Sequence, residues 1–287
     1  MEAGQFLQEV CEVGHAAVSR VCSGEKETRL VAACTMSIKS EREFAQLQVI
    51  GRIVRRALDK MAAAVRPGIT TAELNEIGSR VLSDEGARSA PPMVYGFPGD
   101  VCISVNEEAI HGIPGQRALR EGDLVKLDLV AEKNGFYADA AVTVAVGAVS
   151  PVAEALIRAA ETAFRQAAKA ARAGSRVYEI GRAVEREVKS RGFSVLRELC
   201  GHGVGRTIHE EPSVPNFHDP RSRERLSDGL VITIEPIIAA GSGAAGAGKA
   251  TLQPDRWTVV TADRSLSAHY EHTIVITRGA PILLTAA

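Results

Sequence analysis

The sequence has no apolar run of about 18 residues anywhere along its 287, so no transmembrane helix is read from it. It also lacks a basic n-region. Glu2, Glu9 and Glu12 stand near the start and no long apolar stretch follows them, so a secretory signal is not expected. There is no excess of one sign of charge. The formal net charge is −1, which gives no global field to draw the chain to nucleic acid or an anionic membrane. The five cysteines (11, 22, 34, 102 and 200) contain no C-x-x-C pair and are odd in number. A reduced, cytoplasmic protein is the expectation. What is present is ordinary globular composition, 45% hydrophobic and 24% charged, at a length suited to one large or two small domains.

Residues 1–35 differ from the rest: three of the five cysteines lie there, at spacings that fit no zinc module. They read as a disordered N-terminal extension, or as translated upstream sequence before Met36, leaving 36–287 as the folded domain. From Ser40, apolar residues Phe44, Leu47, Ile50, Val54, Ala57, Leu58 and Met61 recur at helical spacing, and Pro67-Gly68 ends the pattern. Thr70-Thr71-Ala72-Glu73 is a capping box that opens a second helix. Pro91-Pro92 and Tyr95 to Pro98 read as loop, Val101–Asn106 as a short strand, and Glu107–Pro114 as a loop carrying His111. Asn134-Gly135 is a type I′ turn signal between two alternating runs, 124–131 and 136–146. Ser150-Pro151 opens a third helix to about Ala171, and Val177, Ile180, Val184 and Val188 line a fourth. Strands are expected at 231–235, 257–261 and 268–277, and Gly241–Gly248 as a surface loop. Two helices followed by strands thus occur twice. The echo is one of element order, with no repeat at the level of residues.

The chemistry centres on residues 200–212, where glycines at 201, 203 and 205 flank His202, and His209 precedes Glu210-Glu211-Pro212. Bare backbone lets a ligand approach, and a neutral imidazole suits a divalent metal or a polarised carbonyl. Taken alone, the stretch is equally a turn with two surface histidines. Asp128 sits mid-strand, where carboxylates are disfavoured. Counting back from the Asn134-Gly135 turn, it lies opposite Ala141, so Asp139 shares its face as a diagonal neighbour, roughly 7–8 Å away at the backbone. Two aspartates so placed repel unless a cation sits between them; otherwise they are exposed acids on a solvated face. Glu235 and Glu271 adjoin strongly apolar strands, and a buried, unpaired carboxylate shifts its pKa or binds a cation. Four carboxylates and one imidazole are hard ligands suited to a pair of divalent ions such as Co²⁺, Mn²⁺, Fe²⁺ or Zn²⁺.

These motifs resemble those of the type I methionine aminopeptidases, from about Met36 to Ile282. The match covers Asn106-Glu107 with His111-Gly112-Ile113-Pro114, the Asp128/Asp139 hairpin, Gly201-His202-Gly203 with His209-Glu210-Glu211-Pro212, Thr233-Ile234-Glu235-Pro236, Trp257-Thr258-Val259 and Tyr270-Glu271-His272-Thr273. The resemblance implies an α+β, pita-bread fold: duplicated helix-helix-strand units related by a pseudo-twofold around a curved antiparallel sheet. It implies two metal ions, with Asp139 and Glu271 bridging both, Asp128 on one, and His202 and Glu235 on the other. A metal-bridged hydroxide would attack the scissile peptide carbonyl, with Glu235 also shuttling a proton. His111 would hydrogen-bond the scissile nitrogen and His209 the scissile carbonyl oxygen. The implied substrate is the initiator methionine of nascent polypeptides whose next residue is small, with the ribosome a candidate place of encounter. A monomer is the default expectation, and the balanced charge and missing apolar run point to neither nucleic-acid nor membrane partner. Phe97, Cys102 and Trp257 match the methionine pocket, with Cys102 an inert wall. The sequence departs from the family at Val94, often aromatic, and at Ile208, often Phe, which leaves the pocket's width open. His272 is read beside the ligands, and His15, His218 and His269 as surface. Aminopeptidase P and prolidase share these ligands but usually carry a large extra N-terminal domain, which 35 residues cannot supply. A metal-free binding relative would have lost ligands, and here all five are present.

Overall fold

The computed structural model describes residues 37–241 and 246–286; the extension read at 1–35 lies outside the described residues. Helix α1 (Glu41–Ala64) is capped by Ser40, whose hydroxyl accepts from the Glu43 amide, and it buries the anticipated stripe from Leu47 to Met61. Helix α2 (Thr71–Asp84) opens on the expected reciprocal box between Thr70 and Glu73. The second pair is α4 (Pro151–Ala170), capped by Ser150, and α5 (Val177–Ser190). Each pair lies over its own apolar cluster. One joins α1 and α2 to Leu127, Leu129, Ala138 and Ala140; the other joins α4 and α5 to Ile232, Ile234 and Ile274. The α+β class and the twice-repeated order of helices and strands are therefore observed.

Between the helix pairs runs a nine-stranded sheet. Its strands are β1 (Arg88–Ser89), β2 (Cys102–Val105), β4 (Leu124–Lys133), β5 (Phe136–Ala145), β7 (Cys200–Gly203), β8 (Glu210–Pro215), β9 (Val231–Ile234), β14 (Glu271–Val275) and β15 (Ile282–Leu283). The main path is β1-β4-β5-β14-β9-β7-β8, with β2 on β4 and β15 on β14, and the recorded pairings are antiparallel. Two small sheets flank it: β13 (Ser267–His269), β10 (Ile237–Ala239) and β6 (Ser194–Val195), and β11 (Ala250–Leu252), β12 (Val259–Thr261) and β3 (Glu108–Ile110).

The β4–β5 hairpin has the register counted from the sequence: Lys133 pairs with Phe136 and Asp128 with Ala141. The turn follows the same logic, since Asn134 and Gly135 both take positive φ, 55° and 77°.

Several expectations are corrected. Pro91-Pro92 belong not to a loop but to the first turn of helix α3 (Ala90–Tyr95), where the missing amide protons would have no helical partner. Strand β3 lies within the predicted 107–114 loop and pairs with β12. The single strand expected over 268–277 is two, because Tyr270 interrupts it and sends β13 and β14 into different sheets. The strand expected at 257–261 begins only at Val259. The glycine-rich 200–203 segment is itself strand.

Candidate metal centre

Strand pleating builds the site. Asp128 and Glu271 both pair with Ala141, one from each side of β5, so the three residues share a face across β4, β5 and β14. Asp139, two residues before Ala141, points the same way. On β14 the next ladder pair is His272 with Ile234, so Glu235 stands one step beyond, beside Glu271. Gly203 pairs with Ile232, which brings His202 alongside Thr233. Residues alternating with the acids face the other way and are buried: Leu127 and Leu129 around Asp128, Ala138 and Ala140 around Asp139, and Ile234 beside Glu235.

The structure thus gathers all five expected ligands. Ligand atoms of Asp139, His202 and Glu271 lie within 4.8 Å of one another. His202 Nε2 is 3.7 Å from Asp139 Oδ2 and 3.5 Å from Glu235 Oε1. Its Nδ1 is 2.9 Å from the carbonyl oxygen of Gly203. A carbonyl only accepts, so Nδ1 carries the proton and Nε2 presents its lone pair to the acids, the arrangement of a metal-ligating histidine. Asp128, Asp139, Glu235 and Glu271 are buried, and none has a Lys or Arg partner among the described residues. Burial, followed by mutual repulsion for Asp139 and Glu271, pushes the Asp139, Glu235 and Glu271 carboxyls well up. Burial lifts Asp128 to about 7. Asp139 Oδ1 and Glu271 Oε1 have no hydrogen-bond partner among the described residues. Four buried acids without a cation, two of them with orphaned oxygens, form a donor set that divalent metal would complete.

Two threonines missed in the sequence brace this set. Thr233 Oγ1 donates to Glu235 Oε1 at 2.8 Å and accepts the His202 amide at 3.0 Å. Thr273 Oγ1 donates to the Asp139 carbonyl oxygen at 2.7 Å and accepts its amide at 2.9 Å. Their sequence signal is a position two residues from an acid, inside the matched motifs Thr233-Ile234-Glu235-Pro236 and Tyr270-Glu271-His272-Thr273. The glycines beside His202 are required by contact: a Cβ on Gly201 would sit 2.7 Å from the Thr233 carbonyl oxygen, and one on Gly203 would collide with that of Glu211.

Of the other predicted residues, His209 stands against His202 and Cys102 pairs with Asp128. The His209 ring stands 4.2 Å from that of His202, tilted edge-on, and its Nδ1 is hydrogen-bonded to the Tyr95 hydroxyl. His111 follows β3 with a left-handed backbone, φ 58°. Burial holds the His111 and His202 rings down to about 4 and the His209 ring well below its usual range, so all three are neutral at neutral pH. Cys102 pairs with Asp128 on β2, its thiol pushed up by burial and by the acids, which makes it an unreactive wall. Phe97 packs edge-to-face on Trp257 at 5.3 Å. Val94 is exposed, whereas Ile208 is buried with Ala90 and Val130. His269, read as surface, is instead buried, with Nε2 3.5 Å from Glu271 Oε2; a three-residue strand carries too little periodicity to reveal it. His272 is also buried, but its Nδ1 is bonded to Thr285 and it packs on Phe164, turned away from the acids. His218 is exposed as expected, and His15 is outside the described residues.

The fold and the acid cluster describe a metallopeptidase. A model of metallopeptidase family M24 matches residues 45–278. A methionine aminopeptidase of Clostridium perfringens is 42% identical over 248 residues, 86% of this chain and 98% of the relative. Methionine aminopeptidase 2 of Bacillus subtilis is also 42% identical, over 87% of this chain and 99% of the relative. The crystal structure of methionine aminopeptidase from Thermotoga maritima superposes with a TM-score of 0.83 at 33% identity, covering 88% of this chain and all of the other. A prolidase from Pyrococcus furiosus, 22% identical at a TM-score of 0.69, shares the fold alone. The chain belongs to metallopeptidase family M24 and, within it, to the methionine aminopeptidases, and its fold is the pita-bread fold of that family.

Proposed function

We propose that this metal-dependent aminopeptidase removes the N-terminal methionine from nascent polypeptides whose second residue is small. The observation that carries the reading is the cluster of four buried acids and His202 Nε2, unpaired with any Lys or Arg among the described residues, with the neutral His209 ring against His202. Asp139 and Glu271 would hold two ions in common, Asp128 one of them, and His202 with Glu235 the other. This oxygen and nitrogen set suits Co²⁺, Mn²⁺, Fe²⁺ or Zn²⁺. Bound there, the ions supply Lewis acidity, polarising the scissile carbonyl and making water a competent nucleophile at neutral pH.

The protein's own groups do the rest. His209 donates Nε2–H to the scissile carbonyl oxygen as negative charge grows on it, and His111 donates to the scissile nitrogen. Glu235 takes the proton from attacking water and passes it on. Phe97, Trp257 and Cys102 wall off the methionine side chain, whose burial contributes about 1.5–3 kcal/mol of binding. The working unit is 36–287, acting as a cytoplasmic monomer that takes its substrates at the ribosome. The test compares Met-Ala with Xaa-Pro peptides after chelator treatment and reloading with single metals. Turnover of Met-Ala peptides that disappears with the metal is expected, also for a chain beginning at Met36. Faster cleavage of Xaa-Pro peptides, or full turnover without metal, would overturn the reading.

A further inference from the structure

We infer that Tyr95 is a positioning residue that sets the tautomer of His209; the inference rests on the role just proposed for that histidine. Tyr95 is the last residue of α3, and Gly96 follows in a left-handed conformation, φ 72°, that turns the chain sharply. The turn separates neighbours with different roles: Val94 faces solvent, Phe97 goes to the ring pair with Trp257, and Tyr95 lies against His209 with ring centroids 5.6 Å apart. Its hydroxyl meets His209 Nδ1.

A neutral imidazole has one N–H and one lone pair. Burial, with the negative charge of Asp139 nearby, keeps the Tyr95 phenol protonated and able to donate. A phenol that donates to Nδ1 leaves the single ring proton on Nε2. That is the nitrogen needed as a donor to a carbonyl oxygen, and the opposite tautomer would present a lone pair to the developing charge. The chain of bonds runs Tyr95 O–H to His209 Nδ1, then His209 Nε2–H to the substrate oxygen. His202 is set the other way: its Nδ1 donates to the Gly203 carbonyl, leaving Nε2 bare for a cation. Two imidazoles in edge-on contact thus hold opposite tautomers, each fixed by the group behind it.

Tyr95→Phe keeps the ring and removes only the hydroxyl. Losing the group that orients a working imidazole typically costs about 10- to 100-fold, and that loss is expected in kcat, with KM, metal content and melting temperature unchanged. Because Tyr95 acts through His209, Tyr95→Phe combined with His209→Ala should be no slower than His209→Ala alone. Wild-type kcat in Tyr95→Phe, or losses that multiply in the double variant, would overturn the assignment. Nitrogen-15 NMR of the histidine rings reads the tautomer without any substrate. His209 should carry its proton on Nε2 in the wild type and lose that preference in Tyr95→Phe; a proton on Nδ1 in the wild type would refute the inference. This readout stands even if methionyl peptides prove to be the wrong substrate.

Discussion

The two sides of the central sheet are made by alternate residues of the same strands, yet they obey opposite rules. On one side Leu127, Leu129, Ala138, Ala140, Ile232, Ile234 and Ile274 are fully buried beneath the helix pairs. On the other, one residue along each strand, Asp128, Asp139, Glu235 and Glu271 are also buried but mutually repelling. Burying the first set drives folding. Burying the second opposes it until a cation arrives. The stable face holds the unstable one in place, and the strain of the acids becomes affinity for metal.

The comparison can be broken most severely at the acids that would hold both ions. Asp139→Asn or Glu271→Gln should lower metal content and nearly abolish turnover while leaving the metal-free protein at least as stable, because one buried, mutually opposed carboxyl is gone. Metal analysis, kinetics and melting of the stripped protein check all three parts; a variant keeping half of kcat with full metal would contradict the placement. The two histidines sharpen the division within that face. His209→Ala should keep its metal and lose about 10²–10³-fold in kcat/KM, the usual cost of one donor to a developing oxyanion. His202→Ala should weaken metal affinity outright. If His209→Ala loses metal while His202→Ala keeps it, the two roles are reversed.

Across the sheet the effect should fall on stability alone. Leu127→Ala leaves a cavity behind Asp128 and should cost about 2–5 kcal/mol in denaturant unfolding, with metal stoichiometry of the folded protein unchanged.

The smallest effect is one of pH. In metal-free protein the raised acids and the lowered histidines oppose each other. Histidines whose folded values lie near 4, such as His111 and His202, add stability as pH rises from about 4 to about 6.5. Acids held protonated in the fold, such as Asp128 at about 7, add stability below their unfolded range and lose it as pH rises through their folded values. Above about pH 6.5 the histidines are spent, and the raised acids are opposed by Lys126, whose ammonium burial holds down to about 7 and which adds stability as pH rises past that value. With several acids against one lysine, the melting temperature of stripped protein should still fall between about pH 6.5 and 8. A divalent ion should cancel that fall, measured by melting scans with and without chelator.

How far this contrast could be read in the sequence differs between the halves. Asp128 and Asp139 were legible as neighbours because Asn134-Gly135 admits one hairpin register, and their mid-strand positions broke the rule for carboxylates. The acids of the second half were legible one at a time, against apolar runs, and joined the set by their ligand chemistry, with no local geometry to bring them together. Their meeting depends on Tyr270 ending β13 and on β14 inserting between β5 and β9, long-range pairings that no local pattern encodes. Helix α3 escaped notice because its prolines read as punctuation, and with it went Tyr95. His269 went unread because three residues cannot show which way they face.

The contacts around Gly201 and Gly203 limit how this enzyme can evolve. A methyl group at either position would meet backbone, at Thr233 or Glu211, which cannot rotate out of the way as a side chain could. Drift and directed libraries alike are therefore barred from the residues beside His202, even by alanine. Heritable change is left to side chains free of such contacts, such as exposed Val94, where a substitution leaves the frame that holds the acids undisturbed.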